Sequence, residues 1–238
     1  NVEPPKPLVE FTPSANVQSL WNASIGKGSG KSGARMAPAV VGDRLYVASV
    51  DGSIDALDAG TGRKLWTVRE KKVPFSGGPA ANADVVVVGA LNGQVRAFSA
   101  ADGSERWQTK INSEVISAPA IADGMIAVRS QDGRLYGLDP ADGTRRWVYE
   151  QTVPILSLRG NGSPLISGGL VINGYDTGRV VAVRDSDGAQ AWTQTLSTGE
   201  GRTEVERLAD SDGQIVLDSG VLFVSAYRGK IASLYPDS

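Results

Sequence analysis

Between Arg44 and Val68 the chain sets apolar and polar side chains in short alternating runs separated by turn residues. Arg44 to Val50 reads RLYVASV, Asp51-Gly52 forms a turn, Ile54, Ala56 and Asp58 lead to a second turn at Thr61-Gly62, and Arg63 to Val68 follows. Alternation with a period of two, bounded by glycine turns, predicts strands joined as antiparallel hairpins. The texture then returns three times. Its second turn recurs as Asp102-Gly103, Asp142-Gly143 and Asp187-Gly188, the glycine always four residues before a tryptophan.

The five tryptophans, Trp21, Trp66, Trp107, Trp147 and Trp192, are spaced 45, 41, 40 and 45 residues apart. Fourteen residues before the last four stand Gly52, Gly93, Gly133 and Gly178, and fourteen before those Pro38, Pro79, Pro119 and Pro164. Short strands, hairpin turns and a period near 40 predict an all-β fold, a β-propeller of four-stranded antiparallel blades, as a single domain over residues 1–238. Blades are expected at about 36–70, 77–111, 117–151 and 162–197, with a partial blade at 213–238. In that last copy Gly229 takes the first-turn place and Ile215 the proline place. Trp21 lies in a segment, 17–23, that reads as an outer strand with no inner strands before it. Two arrangements follow. The N-terminal strand completes the fifth copy and closes a five-bladed ring, or the chain is part of a larger ring; the break one residue short of the next turn glycine, at position 239, favours the second. Residues that recur once per blade are read as architecture: Asp51, Asn92, Asp132, Asp102, Asp142 and Asp187 as turn formers, the tryptophans as packing residues docked on the next blade.

Composition narrows the chemistry. The chain has 238 residues with 24 Lys+Arg against 26 Asp+Glu, a net charge of −2, so a nucleic-acid partner, which calls for a basic face, is not expected. Cysteine and histidine are both absent. That removes thiol nucleophiles, Ser-His-Asp triads, histidine bases, disulfides and the usual zinc ligand sets, leaving carboxylates, Lys, Tyr or a cofactor for any catalysis. No cofactor or metal is expected. No apolar run approaches the roughly 18 residues of a membrane-spanning helix.

Individuality lies in the connectors from each tryptophan to the next proline position, whose separations are 17, 13, 12, 17 and 23. The long ones after Trp147 and Trp192 belong to adjacent blades and open on one face. Val148 to Ser163 contains Leu156, Leu158 and Arg159; Thr193 to Gln214 contains Arg202, Glu204, Glu206, Arg207, Asp210 and Asp212. An apolar anchor ringed by charge suits a protein-binding spot. Equally, Leu156 and Leu158 would fill the space beneath their own loop while Arg159 pairs with Asp210 or Asp212. Two other motifs fail their tests. Gly26 to Ser32 looks like a phosphate-binding loop, yet it has Ile25 where that motif needs glycine and lacks the flanking strand and helix. Asp210-Ser211-Asp212-Gly213 lacks the remaining ligands of a calcium loop.

The run Ala56-Leu57-Asp58-Ala59-Gly60-Thr61-Gly62-Arg63-Lys64-Leu65-Trp66 resembles the tryptophan-docking repeat of the pyrroloquinoline-quinone-type propellers. Among these, the quinoprotein dehydrogenases carry a vicinal cysteine pair and a calcium site, and the lack of cysteine stops that resemblance at the repeat. Leu156-Ser157-Leu158-Arg159-Gly160 and Thr203 to Asp212 (TEVERLADSD) are similar to the two characteristic connectors of the BamB family of outer-membrane assembly factors, in the same order and blade positions. The resemblance implies a non-catalytic scaffold in an eight-bladed ring, of which this chain supplies a part. It implies a location on the periplasmic face of the bacterial outer membrane, held there only by an N-terminal lipid on a cysteine this chain lacks. It also implies binding to the periplasmic POTRA region of BamA through Leu156, Leu158, Arg159, Asp210 and Asp212, with nascent outer-membrane proteins as a further possible partner. A quinoprotein-like or sugar-binding propeller acting on a small molecule is the alternative.

Overall fold

The computed structural model describes residues 7, 9–10, 12, 14–31, 34, 36–122, 124–152, 162–197, 211, 213–226 and 231–236. Every regular element among them is a strand. The first sheet runs β1 (Ala39–Val41), β2 (Arg44–Ala48), β3 (Ser53–Asp58) and β4 (Lys64–Arg69), and the second β5 (Phe75–Ala81), β6 (Val85–Ala90), β7 (Gln94–Ser99) and β8 (Glu105–Lys110). The third comprises β9 (Ala120–Ala122), β10 (Met125–Arg129), β11 (Arg134–Leu138) and β12 (Arg145–Glu150), and the fourth β13 (Leu165–Ser167), β14 (Leu170–Gly174), β15 (Arg179–Arg184) and β16 (Gln190–Thr195). A fifth sheet holds β17 (Val216–Asp218), β18 (Val221–Ser225) and β19 (Ile231–Leu234). All are antiparallel meanders in sequence order, the pairing expected when short turns, here of two to six residues, join successive strands. Gly229, the first-turn glycine expected in the fifth sheet, lies outside the described residues.

The sheets stack as propeller blades, and the core is a series of layers between them. One layer joins Tyr46, Ile54 and Ala56 of the first blade to Phe75, Val86, Val88 and Phe98 of the second. The next joins Val87, Val95 and Trp107 to Ile126, Val128 and Tyr136, and the third joins Leu135 and Trp147 to Val171, Tyr175 and Val181. Middle strands are covered on both faces, which is why β6 reads as an unbroken apolar run, VVVVGA, and not as an alternation. The fourth strands face solvent except at their tryptophans: Trp107 and Trp147 are buried within otherwise exposed strands.

Each fourth strand carries an irregularity that aims the tryptophan. The register shifts by one residue immediately after Ala56↔Trp66, Ala97↔Trp107, Gly137↔Trp147 and Ala182↔Trp192. Such a bulge bends the strand and turns a side chain out of the ladder. The indole Nε1 then donates to a carbonyl on the following blade: Trp66 to Ala100 at 3.1 Å, Trp107 to Pro140 at 2.8 Å, Trp147 to Asp185 at 2.7 Å and Trp192 to Pro236 at 2.7 Å. The rings lie over Gly103, Gly143 and Gly188, the glycines that precede the next tryptophan by four residues. That spacing therefore records a socket for the preceding blade.

The N-terminal segment differs from expectation. Residues 17–23, predicted as an outer strand, carry no strand. Trp21 nevertheless occupies the socket of the first blade, donating to the Ala59 carbonyl at 3.0 Å beside Gly62. The indole needs only that acceptor and flat surface, whereas a strand needs a neighbouring edge to pair with.

Candidate partner-binding face

The turn between the second and third strands of a blade and the connector to the next blade emerge on one face, and backbone hydrogen bonds tie them together. In the first blade Glu70 N donates to Gly52 O at 2.7 Å. In the third, Gln151 N, where the first long connector begins, donates to Gly133 O at 3.2 Å. In the fourth, Leu196 N and Ser197 N, where the second long connector begins, both donate to Gly178 O, at 2.8 and 3.2 Å, and Ser211 N, where it returns, donates to Tyr175 O at 3.1 Å. The return is close-packed: a β-carbon on Gly174 would lie 1.9 Å from the Ser211 carbonyl oxygen. Leu156, Leu158, Arg159, Asp210 and Asp212 lie outside the described residues, so the geometry of this face is defined by the roots of the connectors that bear them.

At the other end, the roots converge on the centre. Ser163, from the first long connector, and Gly213 and Gln214, from the second, share the wall of a cavity of about 430 Å³ with Pro38, Pro79 and Pro119. Three proline positions of the sequence frame thus line the central cavity. Among the described residues that line it none is ionisable, and the remainder are alanines.

Several charges among the described residues are held by opposite partners. Arg134 donates through Nε to Glu150 Oε1 at 2.7 Å and through Nη1 to Asp132 Oδ2, and these acceptors raise its pKa. Arg96 bridges Glu70 at 3.0 Å and Glu105 at 2.7 Å; burial opposes its charge, and the two carboxylates overcome that, leaving the pKa raised. Among the described residues the most enclosed pair joins two blades. Arg129, closing β10, contacts Asp176, in the turn after β14, at 2.6 Å, with side chains 5% and 1% exposed. The Arg129 guanidinium also sits 5.3 Å from the centre of the Tyr175 ring. Sequence reasoning passed over this pair, because residues 47 apart give no local signal of contact.

The turn side-chain oxygens act as the sequence implies. Asp51 Oδ1 accepts from Ser53 N, Asn92 Oδ1 from Gln94 N and Asp187 Oδ1 from Ala189 N. Asp102 accepts from Ser104 N and Asp142 from Thr144 N, and these bonds, with those of the adjoining hydroxyls, hold both carboxyls below the usual value. No group of three or more potential metal ligands occurs among the described residues, and no helix among them is long and apolar enough to cross a membrane.

Four- and three-stranded meanders, joined blade to blade by bulge-aimed tryptophans, define a propeller of the pyrroloquinoline-quinone repeat type. A family profile described as outer membrane protein assembly factor BamB matches residues 14–69 and 50–236. The chain belongs to that family. It is 41% identical over 240 residues to the outer membrane protein assembly factor BamB of Xanthomonas campestris pv. campestris, covering 97% of this chain and 59% of that protein. The crystal structure of BamB from Moraxella catarrhalis superposes with a TM-score of 0.79 at 26% identity, over 84% of this chain and 60% of that one. The quinohemoprotein alcohol dehydrogenase from Comamonas testosteroni superposes with a TM-score of 0.65 at 18% identity, over 86% of this chain and 42% of that one, a likeness of fold alone. The chain thus spans about three-fifths of the length of the BamB relative from Xanthomonas.

Proposed function

We propose that this chain forms part of a non-catalytic scaffold of the outer-membrane β-barrel assembly machinery, at the periplasmic face of the outer membrane. In the full-length precursor an N-terminal lipid holds it there. The two long connectors form the docking face for the periplasmic POTRA region of BamA: Leu156 and Leu158 supply the apolar anchor, and Arg159, Asp210 and Asp212 the charged rim that sets register. Nascent outer-membrane proteins are a further possible partner of the same face. The observation that carries the reading is the convergence of the connector roots, both held by turns of adjacent blades and both meeting the same central cavity through Ser163 and Gly213.

Binding of the full-length protein to the BamA periplasmic region, measured by calorimetry, tests it. Leu158→Ala combined with Arg159→Ala removes an anchor and its rim charge, which costs about 2 kcal/mol or more, roughly thirty-fold in Kd. Unchanged affinity in a variant with an unaltered melting temperature refutes the site. The small-molecule alternative finds little support in the central cavity: proline, alanine, serine, glycine and one glutamine offer no charge to a quinone cofactor's carboxylates or to a metal. Thermal stabilisation by a sugar, together with no binding to BamA, would restore that alternative.

A further inference from the structure

The Arg129–Asp176 pair departs from the repeat that governs everything around it. Four residues before the first-turn glycine, where the third blade has Arg129, the other blades have Ala48, Gly89, Gly174 and Ser225. Two residues before that glycine, where the fourth blade has Asp176, the others have Val50, Leu91, Gln131 and Tyr227. A four-stranded blade therefore needs neither charge. Burying the two together carries a desolvation cost that apolar residues at these positions would avoid, so stability is a poor reason for them.

Their location supplies a better one. The turn following Arg129 presents the Gly133 carbonyl that holds Gln151, where the first long connector begins. Asp176 lies within the turn whose Tyr175 and Gly178 carbonyls hold Ser211, Leu196 and Ser197, both ends of the second. The 2.6 Å ion pair thus fastens together the two turns that anchor both long connectors, at the junction of the third and fourth blades.

We propose that Arg129 and Asp176 are positioning residues, a lock that sets the two connectors in register with each other and so pre-forms the docking face. This rests on the assignment of that face to BamA binding. In the full-length protein, Asp176→Asn is expected to weaken binding to the BamA periplasmic region roughly ten-fold. It should also speed amide hydrogen exchange at Leu196, Ser197 and Ser211, with Glu70, the equivalent amide of the first blade, unchanged. Replacement of both partners, Arg129→Met with Asp176→Leu, is expected to keep the melting temperature while losing affinity to the same extent, and serves in place of Asp176→Asn should that variant not fold.

Unchanged affinity in a folded variant, or exchange at Ser211 that moves no more than at Glu70, overturns the lock. If Leu158→Ala with Arg159→Ala loses affinity and the lock variants do not, only the lock falls. If that loop variant binds as tightly as the unaltered protein, the docking face falls and the role of the lock with it.

Discussion

Gly143→Ala and Gly42→Ala together separate what the tryptophan sockets contribute from what any left-handed turn requires. Gly143 has φ +74°, and a β-carbon there would lie 2.4 Å from Trp107 Cε3; Gly42 has φ +58° and meets nothing within 4 Å. An L-residue in the left-handed region costs about 1–2 kcal/mol, and Gly42→Ala should lose that and no more. At Gly143 the indole must also retreat by about 1 Å to reach ordinary contact near 3.4 Å. Trp107 is buried and donates at 2.8 Å to Pro140, on the same turn, so retreat loosens its hydrogen bond as well as its packing. Removing a buried tryptophan outright costs about 3–5 kcal/mol, and undocking it by half would lose about 2. Gly143→Ala is therefore expected to cost about 3–4 kcal/mol in all, lowering Tm by roughly 6–16 °C, against about 2–8 °C for Gly42→Ala. Urea denaturation with calorimetric melting gives both values. If the two variants lose the same stability within about 0.5 kcal/mol, the tryptophan is not bearing on that glycine and the blade-docking argument fails.

Tyr46→Phe is expected to cost only about 0.5 kcal/mol in urea denaturation, the low end for a hydrogen bond. The Ala100 carbonyl that it loses as an acceptor keeps Arg44 Nη1 at 2.6 Å and Trp66 Nε1 at 3.1 Å, and a loss above about 2 kcal/mol would contradict that sharing. Acid stability should follow the turn aspartates. Hydrogen bonds donated by Thr61, Ser104 and Thr144 lower the pKa values of Asp58, Asp102 and Asp142 from the ordinary 3.8, so their contribution is present above that value and is lost as pH falls through the lowered ones. The triple variant Asp58→Asn, Asp102→Asn, Asp142→Asn should accordingly lose less stability between neutral pH and pH 2 than the parent, and parallel acid limbs for the two would refute it.

The repeat made the blades legible because the first four carry their own turn signals: glycine where the backbone takes positive φ, an acceptor immediately before it, and tryptophan at a bulge. Strand positions in the first four blades follow from those marks without any knowledge of neighbours. Trp21 shows where local reading stops. Its indole behaves as the spacing predicts, yet residues 17–23 form no strand, since strand formation depends on an edge elsewhere in the chain. The contact between Arg129 and Asp176 was illegible for a similar reason. Alternation places Arg129 at the end of a buried strand, and nothing in its surroundings indicates that a carboxylate of the next blade will meet it. Connector lengths pointed to the two segments that flank the fourth blade, and composition to Leu156, Leu158, Arg159, Asp210 and Asp212, but the pairing that ties their roots together is a property of the ring.

A shared fold does not separate a scaffold from an enzyme here, because the dehydrogenase likeness is as extensive along this chain as the likeness to an assembly factor. The distinction rests on what each kind of protein must place in the ring. A propeller that binds a charged cofactor needs ionisable or polar groups converging on the axis, and the repeat offers such a position: the proline places of the frame, three of which line the central cavity. In the first three blades this chain fills those places with Pro38, Pro79 and Pro119, rings that fix the local backbone and donate no hydrogen bond. Its departures from the repeat lie instead at the perimeter of one face, in two connectors and an ion pair beneath them. Individuality concentrated on an outer face, over a cavity whose described lining is uncharged, supports the proposed scaffold role. The affinity measurements on Leu158, Arg159 and Asp176 bear on that distinction directly, since a catalyst working through its axis would be indifferent to all three.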